Sequence, residues 1–127
     1  MDLPQVLTDK QQVLQVVANL IRNAKEAIRQ QGPGPHSLTI RITPNREKPN
    51  WACIQVSDSG IGIRQENLHR IFAQSLSRPG GKHGAGLHRN ALAAKNLGGD
   101  LTASSPGEGQ GANFTLILPV TFLEIPS

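Results

Sequence analysis

The sequence predicts an α+β fold, a two-layer α/β sandwich in which helices cover one face of a mixed, mostly antiparallel sheet. Three observations lead there. A helical pattern of apolar residues fills residues 9–30. Two alternating segments, residues 37–43 and 51–57, follow with only a turn between them. A second helical pattern, residues 85–97, then precedes two more strand-like segments, residues 101–104 and 113–118. Helices therefore fall between groups of strands, which favours antiparallel pairing with the helices gathered on one side. At 127 residues the chain is expected to form a single domain, long enough to bury a core.

The first helix takes Thr8 or Asp9 as its N-cap and stops at QQGPGP, residues 30–35. At about 100° per residue, Val13, Val17, Leu20, Ile21, Ala24 and Ile28 share one apolar stripe. Asn19 and Asn23 lie beside it, one turn apart. Asparagine costs a helix about 0.5 kcal/mol against alanine, and taken alone the pair reads equally as a polar boundary. SLTIRIT and WACIQVS alternate apolar and polar residues as half-buried strands do, and NREKPN between them closes an antiparallel hairpin. Cys53, the single cysteine, falls in the second of these strands and is expected as a core thiol. DSGIG, Asp58 to Gly62, ends that strand. Residues 65–72 form a short helix, and residues 75–83 a loop of Ser, Arg, Pro and Gly. The second long helix puts Leu87, Ala91, Leu92 and Ala94 on its apolar side and ends at Gly98-Gly99. SPGEGQG joins the two closing strands.

Composition narrows the function. One cysteine excludes an internal disulfide and is expected of a reducing, cytoplasmic setting. No apolar run approaches the ~20 residues of a membrane span, and no signal-peptide pattern opens the chain. The net charge is +4, but the basic residues are scattered. With one Trp, three Phe and no Tyr, stacking partners for bases are nearly absent, so nucleic acid is not expected as a partner. A positive field suits a polyanionic nucleotide as well. The four histidines, His36, His69, His83 and His88, are scattered and form no zinc cluster with the cysteine. No GxSxG or paired-carboxylate signature stands out.

Three segments carry chemistry. Asp58 ends a strand where a carboxylate can accept from an exocyclic amine, and Gly60 and Gly62 allow a base close to bare backbone; a plain turn is the competing reading. Gly80, Gly81, Gly84 and Gly86 precede a helix N-terminus, where backbone N–H groups and the dipole favour phosphates. No GK[ST] follows, so this is not a Walker loop. Asn23, and Asn19 beside it, offer amide oxygens of the kind Mg²⁺ accepts alongside water and phosphate.

In their order, these segments resemble a known family. DKQQVLQVVANLIRNAKEAI is similar to the N box of sensor histidine kinases, VSDSGIGI to their G1 box, KHGAGLHRNALAAKNLGG to their G2 region, and GEGQGANFTLILP to the closing G3 strand. The resemblance spans residues 9–119. It implies a Bergerat-type ATP-binding fold, in the superfamily shared with gyrase, MutL and the large heat-shock chaperone. It implies ATP and Mg²⁺ as cofactors, with Asn23 as the metal residue and Asn19 and Asn23 as the catalytic pair. Gyrase-like members carry a water-activating glutamate where Asn19 stands. An amide cannot act as a general base, which favours transfer to a protein over hydrolysis. By the same resemblance Asp58 reads the adenine amine, Gly60, Gly62 and Ile63 line the base, and Thr115 backs it. Gly84, Gly86 and Leu87 would form the phosphate-side loop, and Lys25, Lys82 and His83 are further nucleotide-binding residues.

The departures from the pattern lie in the lid. Where many relatives have IFEPFFTTK, this chain keeps Ile71 and Phe72 and then reads Ser75, Leu76, Ser77, Arg78 and Pro79. The lid lysine is thus replaced by Pro79, leaving Arg78 or Lys82 as the cation for the γ-phosphate. None of the histidines has the acidic neighbour of a phosphoacceptor. The resemblance thus implies a protein-histidine kinase catalytic domain whose dimerisation and phosphoacceptor helices are absent, monomeric when isolated, with a response regulator downstream and no membrane contact of its own. It would be cytoplasmic, including as the cytoplasmic part of a membrane-bound sensor. A nucleotide-binding or interaction module without efficient transfer, and a serine kinase of the anti-sigma type, share these boxes and stay open.

Overall fold

The computed structural model describes residues 3–44, 51–68, 70–72 and 82–119, with side chains from Lys10 onward in the first helix and from Leu87 onward in the last. The elements run α1 (Leu3–Gln31), β1 (Leu38–Pro44), β2 (Trp51–Asp58), α2 (Gln65–Leu68), α3 (Lys82–Asn96), β3 (Asp100–Ser104) and β4 (Ala112–Pro119). The four strands form one sheet in the order β1-β2-β4-β3, and every pairing is antiparallel. The hairpin of β1 and β2 forms as expected, with Leu38 opposite Asp58 and Pro44 opposite Ala52. α1 and α3 pack on one face of the sheet, the two-layer arrangement the helix and strand order implied.

The helix boundaries shift. α1 begins six residues before Asp9, so Thr8 and Asp9 lie inside it and do not cap it. Pro4 falls in the first turn, where a missing N–H costs nothing, and no breaker lies between it and Thr8. α3 begins at Lys82 instead of Ala85, which places Gly84 and Gly86 within the helix and not in a loop feeding it. Each helical glycine costs about 1 kcal/mol; the buried turns that follow, seated on Leu87, Asn90 and Ala94, offset that. The far end closes in a Schellman motif. Gly99 N–H bonds to Ala94 O at 2.8 Å and Gly98 N–H to Lys95 O at 3.0 Å, with Gly98 at φ 84°. The short helix spans Gln65–Leu68 only; Arg70 N–H then bonds back to Asn67 O at 2.9 Å, a turn that ends it.

The core lies between the helices and the sheet. β4 contributes Ala112, Phe114, Leu116 and Leu118, β2 Val56, β3 Leu101, and α1 Val16, Leu20 and Ala24. The α1 stripe is therefore centred on Val16, with Val17 only packed against its edge. Leu92, expected on the apolar side of α3, is 52% exposed, and polar Asn90 takes a buried place instead. Cys53 is half-buried beside Ile117, on the sheet face away from the helices, and is not a core thiol. Ile40 and Ile42 of β1 point to the helix side yet remain 45% and 68% exposed. α1 packs mainly over β2, leaving much of the edge strand uncovered.

Candidate nucleotide site

The site grows from the end of β2. Asp58 closes the strand, and its Oδ1 accepts from Gly60 N–H at 2.8 Å. The amide of Ala112, its register partner on β4, also favours the charged carboxylate. Burial pushes the carboxyl above its ordinary value, and these two amides only partly oppose it. A half-buried carboxylate pinned at one oxygen keeps acceptor capacity for a ligand donor.

Gly60 and Gly62 have separate structural reasons. A Cβ on Gly60 would sit 2.5 Å from the Ala27 carbonyl carbon. The glycine therefore lets α1 touch this loop, and Ile61 N–H bonds to Ala27 O at 3.2 Å. Gly60 serves the packing of a helix and is not among the residues that line the cavity. Gly62 sits at φ 74°, and a Cβ there would overlap the Gly107 carbonyl oxygen. The β3–β4 turn is thus laid directly on the DSGIG loop, and Gly111 N–H to Gly60 O at 3.1 Å fastens it.

Ser105 joins the two loops, and nothing in the sequence pattern singled it out. It is buried, donates to Gly111 O at 2.6 Å, and accepts from Ile63 N–H at 3.0 Å and Gly107 N–H at 3.2 Å. Gln65 Nε2 donates to the Ser105 carbonyl at 2.8 Å. Ser105→Ala leaves buried amides without an acceptor, and should cost about 1–3 kcal/mol of stability in urea denaturation.

Asn23, Asp58, Gly62, Ile63 and Leu87 together line one cavity of about 430 Å³, a size suited to a small ligand. Its apolar wall comes from Ile61, Ile71, Ala112 and Phe114, and Phe72 stands edge-on to Phe114 at 6.3 Å. Arg64 and Glu108, both lining residues that sequence reasoning passed over, pair at 3.3 Å. Both are exposed, so the pair adds little stability.

Other expected site residues fall elsewhere. Thr115 is on the sheet face opposite the cavity, because Ala112 and Phe114 of the same strand point inward and side chains alternate. Ala112, not Thr115, stands against the cavity. Lys25 is exposed on α1 and does not line it. Asn19 lies one turn from Asn23, bonded to Asn90 at 3.1 Å and to Arg22 at 2.7 Å. Lys82, His83 and Gly84 lie in the first turn of α3 and Gly86 opens the second, their side chains outside the described residues, as is Arg78 altogether.

Residues 8–121 match the family described as histidine kinase-, DNA gyrase B-, and HSP90-like ATPase. The chain belongs to this ATPase family. The aerobic respiration control sensor protein ArcB of Escherichia coli (strain K12) is 39% identical over 121 residues, 90% of this chain and 14% of its own length. Sensor histidine kinase ZraS of Escherichia coli O157:H7 is 36% identical over 118 residues, 93% of this chain and 24% of its own length. The adaptive-response sensory kinase SasA of Synechococcus sp. (strain CC9311) is 32% identical over 124 residues, 94% of this chain and 30% of its own length. The chain thus spans less than a third of these relatives.

Solved structures show the same fold. The mycobacterial sensor histidine kinase MprB superposes with a TM-score of 0.70 at 21% identity, covering 86% of this chain and 72% of that one. Full-length ShkA in complex with AMPPNP gives 0.69 at 20% identity, covering 85% and 21%. The chain is an ATPase-family domain homologous to the catalytic domains of sensor histidine kinases. No helix among the described residues is long and apolar enough to cross a membrane.

Proposed function

We propose that residues 1–127 form one catalytic unit that binds ATP with Mg²⁺ and passes the γ-phosphoryl to a histidine on a separate dimerisation segment. The observation that carries this reading is the meeting of Asp58 and Asn23 in one cavity, from elements 35 residues apart in sequence. Asp58 accepts from the exocyclic amine of adenine, and Ile61, Ile63 and Phe114 supply apolar contact to the base. The AMPPNP held by ShkA is the kind of ligand this cavity would take.

The residues present fit a magnesium ion. The Asn23 amide nitrogen is buried without a partner among the described residues, and the side chain lines the cavity, where its oxygen is the atom the ion would take. Mg²⁺ takes few protein oxygens and completes its shell with water and phosphate. When bound, the ion supplies positive charge to the triphosphate. Asn23 would hold it. Arg78 or Lys82 is the cation proposed for the γ-phosphate, and the open N–H groups of the first turn of α3, Gly84 among them, would face phosphate oxygens, while the Gly86 N–H lies within the helix. Asn19, an amide with both ends engaged, provides no base to activate water, which leaves an in-line imidazole as the productive acceptor.

That acceptor belongs to another segment. His36 Nε2 donates to Gly32 O at 2.6 Å, and His88 Nδ1 bonds Phe72 O at 2.8 Å. Both rings are tied to backbone within the domain. The dimerisation helices and a response regulator are the proposed partners, and the isolated domain is proposed to be monomeric. Incubation of the chain with its helical acceptor segment and γ-labelled ATP tests the proposal. Acid-labile, base-stable phosphohistidine on that segment is the expected product, and Asn23→Ala should lower its yield by about 100-fold or more. ATP binding without transfer would mark a nucleotide-binding module instead.

A further inference from the structure

Leu87, Asn90 and Ala94 form the buried side of α3, and Asn90 is only 2% exposed. The other two residues on that side are aliphatic, yet the Asn90 side chain is an amide. Asn90 Oδ1 accepts from Asn19 Nδ2 at 3.1 Å, and Asn19 Oδ1 accepts from Arg22 Nη1 at 2.7 Å. A guanidinium has no acceptor, so Arg22 decides which end of the Asn19 amide is oxygen. That orientation propagates. Asn19 must present N–H to α3, and Asn90 must answer with its oxygen. The nitrogen of Asn90 is then left buried with no partner among the described residues, as is that of Asn23 one turn along α1. A buried donor without a partner opposes folding. An aliphatic side chain of similar volume would avoid the cost, so stability does not account for an asparagine here.

We propose that Asn90 is a positioning residue for the metal and phosphate end of the nucleotide site. It acts through Asn19. The amide pair sets the register of α1 against α3, and so the height at which Asn23 and Leu87, each one turn along its helix, face the cavity. Aliphatic contacts tolerate sliding, whereas a directional hydrogen bond between helices does not. The inference rests on the reading of Asn23 as the metal residue.

The test uses the 127-residue chain with Asn90→Leu. The melting temperature should be unchanged or higher, and ADP affinity without Mg²⁺ unchanged. ATP affinity with Mg²⁺ should fall about 10-fold, the size of one lost positioning hydrogen bond. Asn19→Leu should lose the same amount, and the double variant no more than either single, because the two residues act as one unit. If leucine at position 90 prevents folding, Asn90→Ser, too short to reach Asn19, is read in the same way. Wild-type MgATP affinity in the Asn90 variants, or additive losses in the double variant, would overturn the proposal. Asn23→Ala is the control. If it leaves the Mg²⁺ dependence intact, the metal reading itself fails and takes this inference with it; if it removes that dependence while the Asn90 variants bind normally, only the role of Asn90 fails.

Discussion

Asp58→Asn is expected to weaken adenine-nucleotide binding about 10- to 100-fold while leaving the nucleotide-free domain as stable as before, or slightly more so. The variant keeps an oxygen for Gly60 N–H and turns its new NH₂ toward the cavity, so a donor faces the adenine amine where an acceptor stood. The stability half of the expectation follows from proton linkage. Burial raises the Asp58 carboxyl above its ordinary value of 3.8, so the folded state holds this proton more tightly than the unfolded state. Its contribution is therefore most favourable below the unfolded value. It is lost as pH rises through the interval up to the folded value, and stays lost at neutral pH. Asparagine carries no charge to bury and removes that loss. Binding runs the other way. The wild-type protein should lose nucleotide affinity as pH falls through the raised folded value, beginning above the usual aspartate range, and the Asn variant should lack this limb. Calorimetric titration across pH, with thermal melts of both proteins, checks both halves. A variant that binds as tightly as wild type would remove Asp58 from the base site.

Gly62→Ala should cost about 2–5 kcal/mol of folding free energy and abolish binding with it. Two costs act together. The residue sits at φ 74°, where an L side chain crowds its own carbonyl, and a Cβ would overlap the carbonyl oxygen of Gly107. Backbone cannot rotate aside as a side-chain tip can, so the β3–β4 turn must lift off the DSGIG loop. Gly32→Ala separates the two costs. Gly32 has φ 100° but nothing within 4 Å of the added carbon, so it should lose only about 1–2 kcal/mol. Urea midpoints for the two variants measure the difference. Equal losses would mean that loop contact adds nothing at Gly62.

Much of this architecture is local information. The alternation in SLTIRIT and WACIQVS, with a turn between, is enough to pair β1 with β2, since side-chain period and hairpin geometry act within a few residues. Gly98-Gly99 likewise ends α3 through a motif contained in its own last turn. Local patterns say less about which side of an element is covered. Val16, rather than Val17, centres the α1 stripe because α3 and β2 choose the angle from which the helix is approached. Thr115 looked like a member of the base site, yet it stands on the outer sheet face because Ala112 and Phe114 alternate inward.

The order of Asn23, Asp58, Gly62 and Leu87 along the chain was sufficient to indicate a nucleotide site, because each lies in a segment whose chemistry is carried by consecutive residues. Their meeting in one cavity required α1, the end of β2 and α3 to converge. Ser105 and Asn90 belong wholly to that second level. A serine after a strand and an asparagine on a helix are ordinary in sequence; only burial, and the amides brought against them from distant segments, turns one into the clasp between two loops and the other into the polar contact between two helices. Sequence by itself determined the fold class, the family and the order of the chemical groups. Tertiary structure decided which faces those groups present, because orientation depends on what covers each element, and the covering residues lie dozens of positions away.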